Sequence, residues 1–394
     1  MIDESSMREL VLKRALPLSA FECELDEVLN GYAAESLTAQ RDSPAFDNSM
    51  FDGYALSESD LRSDAVLHLS GEQAAGPDHG LNVKNGECIR IFTGAPLPEN
   101  TAAVIMQEDT VAEGNKITLR DTTERNFGIR RQGADVCKGQ KILRAGQRIT
   151  PALVGLLASQ GFTRIAIGRK PRISILCTGN EIRPAGENLK PGEIHESNGA
   201  MLSALFKNEA SSTPGVTLVS DSLEAIREAI REKSENQDVL LISGGMSVGE
   251  YDFVPRALKE EGFEIEGYKV RVKPGKPFLF GTRGRQLVFG FPGNPVSAYL
   301  TALIFARPAI LRLAGAEESE LGLPISLATV EKDIQNPDDR PHYMRGNLQN
   351  GSFTPTGLQQ SHALFGLSQS NAIVRISEKS SLRSGETIPV FLLP

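Results

Sequence analysis

The stretch DVLLISGGMSVGEYDFVPRALKEEG, residues 238–262, places a glycine-rich loop between a strand-like segment and a helix-like segment. Residues 239–242 are apolar and β-prone, which is typical of a strand buried on both faces. From residue 253 onward, apolar residues recur at the spacing of one helix face. The loop between them, residues 243–249, contains three glycines and two serines. Such a turn brings backbone N–H groups close to an anion at a helix N-terminus, so it predicts phosphate binding, with a plain glycine-rich connection as the alternative.

Strand and helix segments alternate on both sides of this loop. The predicted strands are residues 173–177, 216–220, 239–242 and 287–291, and the helices that follow them are residues 200–207, 223–231, 251–259 and 296–314. Such alternation implies a mostly parallel sheet that is covered by helices on both faces. This part of the chain is therefore expected to be an α/β domain.

The flanking regions follow other patterns. Helices are expected over residues 7–16 and 18–32, and a further helix begins at Pro151, the favoured residue type for a first helical position. Short β runs alternate with turns between residues 65 and 120, which indicates an inserted β domain. After Gly315, short strands and turns return, which indicates a small C-terminal β domain. The fold class is thus α/β plus β, in several domains.

Composition excludes several classes of function. With 394 residues the chain should hold two or three folding units, and its net charge of −8 argues against a general nucleic-acid binder. The first residues lack the layout of a signal peptide, and the longest apolar run, near residues 296–306, is too short to span a bilayer. We therefore expect a cytoplasmic protein without membrane contact. Its four cysteines form no CxxC pair, so any metal would be a hard cation on carboxylates.

Ligands bind beyond the carboxyl ends of the strands in open parallel sheets. The residues that follow the predicted strands are Thr178, Gly179, Asn180 and Glu181, then Asp221, then the 243–249 loop with Asp252, and finally Pro292, Gly293, Asn294 and Pro295. The segment YKVRVKPGKPFLFG adds Lys269, Lys273 and Lys276. Carboxylates that recruit Mg²⁺, together with cations that neutralise phosphate, predict chemistry at a phosphate ester or anhydride. Taken singly, the acids could be helix caps or solvated loop residues, and the lysines could be surface groups.

Six motifs extend this interpretation over essentially the whole chain. They are PAFDNSMFDGYAL (44–56), IFTGAPLPENTAAVIMQED (91–109), GADVCKGQKIL (133–143), SGGMSVGEYD (243–252), VKPGKPFLFG (272–281) and FGFPGNPVSA (289–298). Together, and in this order, they resemble the molybdopterin molybdenumtransferase family of the MoeA type, to which the E domain of gephyrin belongs.

The resemblance implies a division of the chain and an assembly. The implied domains are an N-terminal helical and linker domain (1–41 and 138–170), an inserted β domain (42–137), a MogA-like α/β molybdopterin-binding domain (171–316) and a C-terminal β barrel (317–394). Family members form homodimers in which the active site lies between the α/β domain of one subunit and the β insertion of the other. Asp52, Thr93 and Asp135 would then face the partner's site, and a transient contact with a molybdopterin adenylyltransferase is possible.

The implied reaction inserts molybdenum, delivered as molybdate, into adenylated molybdopterin, with Mg²⁺-dependent release of AMP. The resemblance assigns catalysis to Asp52, Glu181, Asp221, Asp252, Lys269 and Lys273, of which Glu181, Asp221 and Asp252 would be the Mg²⁺ ligands. It assigns the small anionic substrate to Ser243, Gly244, Gly245, Ser247, Gly249, Pro292, Gly293 and Asn294. Molybdate would be bound by Lys276, Ser297, Arg340 and Ser361, with Arg345 as the competing choice for the arginine.

The chain departs from the family pattern at two turns near the expected site. Asn180 stands where the usual turn has an acid, and Glu196 precedes Ser197 and Asn198 where Asp is common. Two alternatives to the enzyme remain open: a scaffold or regulatory relative that binds molybdopterin or a peptide partner without turnover, and an enzyme that handles tungstate instead of molybdate.

Overall fold

A computed structural model describes residues 1–246 and 253–394. The chain divides into two compact units. The first comprises Met1–Glu35, Ala145–Val154 and Thr163–Pro394, and the second comprises Ser36–Arg144 and Gly155–Phe162. The predicted α/β and C-terminal β regions both belong to the first unit.

The α/β region contains a six-stranded sheet among the described residues. In spatial order its strands are Gly215–Val219, Ile173–Thr178, Val239–Ser243, Gln286–Phe291, Leu279–Arg283 and Glu264–Tyr268. The first four strands are parallel, and the last two join the sheet in antiparallel pairing. This arrangement confirms the predicted mostly parallel sheet.

The central strands are mostly apolar because both faces of the sheet are covered. Leu241 and Phe289 pack into one buried cluster, whereas their neighbours Leu240 and Val288 pack into a second one. Successive side chains of a strand point to opposite faces, so a strand between two layers of helices needs an unbroken apolar run. Burial on both faces of the strand therefore explains the apolar run at residues 239–242.

The described helices are Glu4–Arg14, Pro151–Ser159, Asn198–Phe206, Leu223–Ser234, Val254–Glu260, Pro295–Thr301, Arg307–Leu313 and Leu364–Ser368, with a π-helical segment at Ala302–Ala306 and short 3-10 turns at Glu58–Asp60, Gln107–Asp109 and Glu318–Glu320. In the described part of the chain, one helical stretch, Pro295–Leu313, is long and apolar enough to cross a membrane by length and composition. This helical stretch is longer than the apolar run near residues 296–306 suggested. However, 78% of its most apolar part is buried inside the protein. Its apolar side chains therefore form core.

The expected helix over residues 18–32 is wrong. Ala20–Glu24 is a strand that pairs antiparallel with Arg164–Gly168, and in this pairing Cys23 lies opposite Ile165 and is buried. The partner strand lies about 140 positions further along the chain, so no local pattern reveals it. Pairing with this distant strand overrides the helical spacing of the apolar residues that follow, as tertiary context commonly does.

The second unit contains the inserted β domain. Among the described residues its main sheet has six strands, in the spatial order Ala103–Met106, Gly53–Leu56, Glu87–Ile91, Val66–Gln73, Lys116–Leu119 and Thr110–Glu113. Two short antiparallel pairs accompany it: Asn48–Ser49 with Ile129–Arg130, and Leu37–Thr38 with Lys141–Leu143. The Gly53–Leu56 strand is buried throughout and directly follows Asp52.

The C-terminal region is a closed barrel, as expected. Its strands are, in spatial order, Ile325–Val330, Ser352–Pro355, His342–Gln349, Ala372–Ile376 and Thr387–Leu392. Phe353, Val374 and Val390 are among the residues that fill its interior. The short strands Ile334–Asn336 and Ser380–Leu382 pair beside the barrel, and Ile182–Arg183 pairs in parallel with Ile194–His195 in the α/β region.

Candidate functional site

A cavity of about 730 Å³ lies beyond the carboxyl ends of the parallel strands. Eight of the residues assigned to catalysis or substrate binding from the sequence line it: Glu181, Asp221, Ser243, Gly244, Gly245, Pro292, Gly293 and Asn294. They come from four different strand-to-helix turns, which parallel pairing brings to one edge of the sheet. The cavity is large enough for an organic ligand with several polar groups. Ser247, Gly249 and Asp252 lie outside the described residues.

The glycine-rich turn approaches the neighbouring strand too closely for any side chain. Gly244 and Gly245 have φ values of +95° and +60°, in the left-handed region that favours glycine. A Cβ on Gly244 would lie 2.4 Å from the carbonyl oxygen of Thr178. The two glycines are therefore needed for the path of the backbone at the cavity.

We expect Gly244→Ala to destabilise the α/β domain by roughly 2–4 kcal/mol, because backbone strain and a steric clash each cost about 1–3 kcal/mol. The melting temperature from thermal unfolding checks this. Gly293→Ala is the matched control, since Gly293 lines the same cavity but a Cβ there would meet nothing within 4 Å. Equal melting temperatures for the two variants would contradict the expectation.

Asn180 and Asp221 bind each other through two reciprocal hydrogen bonds. The backbone N–H of Asn180 donates to the Asp221 carboxylate over 3.2 Å, and the backbone N–H of Asp221 donates to Asn180 Oδ1 over 3.1 Å. Asn180 thus ties two neighbouring turns together without adding a charge. Asn180, which replaces the acid of the usual family turn, therefore positions the turn beside Glu181.

The carboxylates of the cavity suit a hard cation such as Mg²⁺. Glu181 and Asp221 both line the cavity. In the described ranges, 1–246 and 253–394, no group of three or more His, Cys, Asp or Glu side chains could hold a metal ion. Magnesium is commonly bound by one or two carboxylates together with waters and substrate phosphates, so two carboxylates are compatible with it.

Sequence reasoning gave no role to Asn198, which links two walls of the cavity. Its Nδ2 donates to Ser243 Oγ and to the carbonyl oxygen of Gly293, each over 2.8 Å, and the residue is 8% exposed. Glu196 accepts from the backbone N–H groups of Gly199 and Ala200, at 2.5 and 3.3 Å, at the first turn of the helix Asn198–Phe206. Its longer side chain therefore serves the helix start. The sequence signals for Asn198 are its place at the start of that helix and its position in the turn with Glu196 and Ser197 that follows the family pattern.

The lysines of the 268–281 segment lie outside the set of cavity-lining residues. Lys269 Nζ sits 5.0 Å from the centre of the Tyr268 ring, and the Tyr268 hydroxyl donates to the carbonyl oxygen of Met246 at the glycine-rich turn. Lys273 forms an ion pair with Asp338 of the C-terminal region. The hydrogen bond from Lys273 lowers the pKa of the Asp338 carboxyl. Lys276 is exposed and precedes Pro277, which lines the cavity.

Three segments converge beside the predicted molybdate residues. Gly275 lies so close to the helix Pro295–Thr301 that a Cβ on it would be 2.4 Å from Thr301 Cγ2. The backbone N–H of Val296 donates to the carbonyl oxygen of Ser361 over 3.0 Å. Lys276, Ser297 and Ser361 are therefore brought near one another, although sequence separates them by up to 85 positions.

Arg345 and Arg340 differ strongly in their surroundings. Arg345 is fully buried, and its Nη2 donates to the carbonyl oxygens of Leu358 and Gln360 at 2.5 and 3.4 Å. Its Nε and Nη1 are buried without a hydrogen-bond partner among the described residues, and burial lowers the pKa of the guanidinium. Arg340 donates to the carbonyl oxygen of Val272 over 3.2 Å and lies 3.9 Å from the exposed Asp339 carboxylate. Of these two arginines, Arg345 is the one with buried donors that lack an acceptor among the described residues.

Asp52 and Thr93 of the second unit are held together. The backbone N–H and the hydroxyl of Thr93 both donate to Asp52 Oδ1, each over 2.8 Å. These two bonds lower the pKa of the Asp52 carboxyl, the backbone bond contributing more. Asp135 is exposed, and its backbone N–H donates to the carbonyl oxygen of Ser43. The second unit thus presents an exposed, ionised carboxylate on a fixed turn.

Thr93→Val should raise the pKa of Asp52 part of the way towards its ordinary value, because valine removes the hydroxyl donor and keeps the backbone one. A pH titration of the Asp52 carboxyl by NMR checks this. Thr93→Ser keeps the hydroxyl and is expected to preserve the lowered pKa. An unchanged titration in the valine variant would mean that the hydroxyl contributes nothing.

His362 and Leu364 of the C-terminal region also line the cavity, although sequence analysis gave neither a role. No signal could have found them, because they follow strands of a different domain. A mostly parallel sheet whose strand ends form a cavity lined by glycines and carboxylates is typical of α/β proteins that bind a small organic ligand there. This is the class of protein that the described fold and site indicate.

Comparison with known proteins identifies the family. Three family models match the chain: the MoeA N-terminal region (domains I and II) at residues 3–161, a probable molybdopterin binding domain at 174–312, and the MoeA C-terminal region (domain IV) at 328–393. The chain belongs to the MoeA family of molybdopterin molybdenumtransferases, which confirms the resemblance seen in its motifs.

Individual relatives match along almost the full length. A molybdopterin molybdenumtransferase of Haemophilus influenzae is 33% identical over 373 residues, covering 93% of this chain and 92% of its own. Its counterpart of Bacillus subtilis is 31% identical over 395 residues, covering 94% and 89%. The crystal structure of a molybdopterin biosynthesis MoeA protein from Pyrococcus horikoshii superimposes with a TM-score of 0.86 at 27% identity, covering both chains completely.

Proposed function

We propose that this protein is a molybdopterin molybdenumtransferase that inserts molybdenum, delivered as molybdate, into adenylated molybdopterin and releases AMP. The observation that carries the proposal is the cavity at the strand ends, where a glycine-rich turn and two carboxylates meet. Relatives that bear this name match over more than nine-tenths of the chain. The reaction belongs to the biosynthesis of the molybdenum cofactor.

The strand-end cavity would bind the phosphates of the adenylated substrate. The glycine-rich turn would approach them with backbone N–H groups, and Lys269 and Lys273 would offset the negative charge that develops on the leaving phosphate. Glu181, Asp221 and Asp252 would hold Mg²⁺, which supplies further charge neutralisation at the anhydride when it is bound. Asn180 and Asn198 would keep these turns in place through the hydrogen bonds described above.

Molybdate would bind where Lys276, Ser297 and Ser361 converge, with Arg345 as the arginine. A tetrahedral dianion needs several N–H and O–H donors, and the two buried donors of Arg345 lack an acceptor among the described residues. Arg340, the first choice from the sequence, already donates to Val272. We therefore prefer Arg345 for this role.

The assembly and the location are proposed from the family. In a homodimer, Asp52, Thr93 and Asp135 would complete the active site of the partner subunit, where the ionised Asp52 could contact the substrate or its metal. We also propose a cytoplasmic location and a transient contact with the molybdopterin adenylyltransferase that supplies the substrate.

Turnover by the purified protein tests the proposal. Adenylated molybdopterin, Mg²⁺ and molybdate are supplied, and both AMP release and metal bound to the pterin are followed. Release of AMP together with molybdenum bound to the pterin supports the enzyme. Binding of the nucleotide without turnover would favour the scaffold alternative, and loading with tungstate in preference to molybdate would favour the tungstate-handling enzyme.

A further inference from the structure

The segment that carries the three lysines is held along one edge by residues 2–4. The backbone N–H of Ile2 donates to the carbonyl oxygen of Lys269 over 2.8 Å, and the backbone N–H of Arg271 donates to the carbonyl oxygen of Ile2 over 2.9 Å. Asp3 adds an ion pair with Arg271 at 3.4 Å. Ile2 therefore acts as a one-residue strand beside the lysine segment, in a parallel bridge with Val270.

The same segment is held along its other side by the barrel. Lys273 forms a parallel bridge with His342, in which the backbone N–H of Lys273 donates to the carbonyl oxygen of Pro341 and that of Tyr343 donates to the carbonyl oxygen of Lys273. These bonds are 2.9 and 2.8 Å long. The barrel strand continues from there to Arg345. The proposed molybdate pocket therefore has two adjoining walls from different domains. The lysine wall is the segment 268–281, and the arginine wall is the barrel strand that carries Arg345.

Glu4 binds this barrel strand directly. Its carboxylate accepts a hydrogen bond from the Tyr343 hydroxyl and one from Arg375 Nε, the latter at 2.9 Å. Tyr343 and Arg375 lie opposite each other on adjacent barrel strands. Tyr343 is buried, and burial followed by the Glu4 charge raises the pKa of its hydroxyl, so it remains a neutral donor to Glu4.

We propose that residues 2–4 are a positioning clasp for the molybdate pocket, with Glu4 as its main positioning residue. The clasp bonds to the lysine segment through the backbone of Ile2 and to the barrel through the carboxylate of Glu4. It therefore adds a second tie, beside the direct bridge from Lys273 to His342, that helps to hold the spacing between Lys276 on one wall and Arg345 on the other. A small dianion that must meet donors from both walls is sensitive to this spacing. The inference rests on the proposed function, because it assigns the pocket to molybdate.

Glu4→Ala tests the clasp, because it leaves Tyr343 and Arg375 without their shared acceptor. We expect the half-saturating molybdate concentration to rise roughly tenfold, since a displacement of about 1 Å can cost a hundredfold and a partial shift costs less. The half-saturating concentration of the nucleotide and the turnover at saturating molybdate should stay near wild type. Glu4→Gln keeps an acceptor and should give a smaller change.

Arg8→Gln is the matched control. Arg8 lies on the same helix and pairs with Glu318 at 3.4 Å, where both side chains are exposed. It should leave molybdate saturation unchanged. Unchanged molybdate saturation in Glu4→Ala, or equal increases for molybdate and nucleotide, would overturn the clasp, since a general structural defect affects both substrates.

Hydrogen exchange separates failure of the clasp from failure of the proposed function. Backbone exchange over residues 269–278 and 342–346 should become faster in Glu4→Ala and stay at the wild-type rate in Arg8→Gln. If wild type shows no molybdate-dependent turnover, the proposed function fails and with it the link to molybdate. Unchanged exchange in Glu4→Ala would instead remove the clasp itself.

Discussion

Replacing Arg345 with methionine should leave the protein folded and strongly weaken its response to molybdate. Methionine fills a similar buried volume, and buried charges are often replaced by apolar residues at little cost in stability. The variant loses the hydrogen bonds to Leu358 and Gln360, which are worth about 1 kcal/mol each. It also loses the buried donors that have no acceptor among the described residues. We therefore expect a melting temperature within a few degrees of wild type, about what such small differences in stability produce.

The effect on molybdate should be large. Removing one partner of a buried, hydrogen-bonded charge pair costs about 2–5 kcal/mol, so the half-saturating molybdate concentration should rise roughly a hundredfold or more. Saturation curves for molybdate at fixed nucleotide measure this, and calorimetric binding of molybdate gives an independent value.

Arg340→Met is the matched control for Arg345→Met. Arg340 is partly exposed and donates to a backbone carbonyl oxygen. Because it would not contact the anion, its loss should change the half-saturating molybdate concentration by less than about threefold. If Arg340→Met abolished the response while Arg345→Met preserved it, the first choice made from the sequence would be restored.

Asp221→Asn should lower AMP release by roughly a hundredfold, because even residues that only support metal ligands typically cost 10–100-fold when they are changed. Asparagine keeps the shape of the side chain and can still accept from the backbone N–H of Asn180, so the turn should be preserved. What is removed is a negative charge in the cavity that would hold Mg²⁺. A higher Mg²⁺ concentration should restore part of the activity.

Titration of activity with Mg²⁺ checks this prediction. Glu224→Gln removes a charge from the first turn of the adjoining helix without touching the cavity, and should keep the wild-type Mg²⁺ dependence. A wild-type Mg²⁺ titration in Asp221→Asn would show that this aspartate only flanks the helix, which was the alternative that the sequence left open.

Much of the α/β domain could be predicted because its signals are local. The run at residues 239–242 is apolar at each position since both faces of its strand are covered, and the turn after it needs glycines since the backbone passes close to Thr178. The expected helix at residues 18–32 failed for the opposite reason. Its strand exists only through pairing with Arg164–Gly168, which no neighbouring residue encodes.

The residues of the candidate site likewise fall into those that local sequence predicted and those that only the structure revealed. The turns that carry Glu181, Asp221, Ser243 and Gly293 were predictable, because parallel strands place their carboxyl ends at one edge and each turn follows its strand directly. Asn198 was missed because a buried asparagine at a helix start resembles an ordinary cap until its bonds to Ser243 and Gly293 are known. His362 was missed because it reaches the cavity from another domain.

The sequence by itself determined the family, the alternation of parallel strands and helices in the α/β domain and the turns of the strand-end cavity. These follow from hydrophobic period, glycine placement and motif order, which are properties of contiguous residues. Only the tertiary structure distinguished Arg345 from Arg340 and connected Glu4 to Tyr343, which lies 339 positions away. The physical reason is that burial and hydrogen-bond satisfaction depend on the neighbours in space. Two arginines five positions apart can therefore have opposite needs for a ligand.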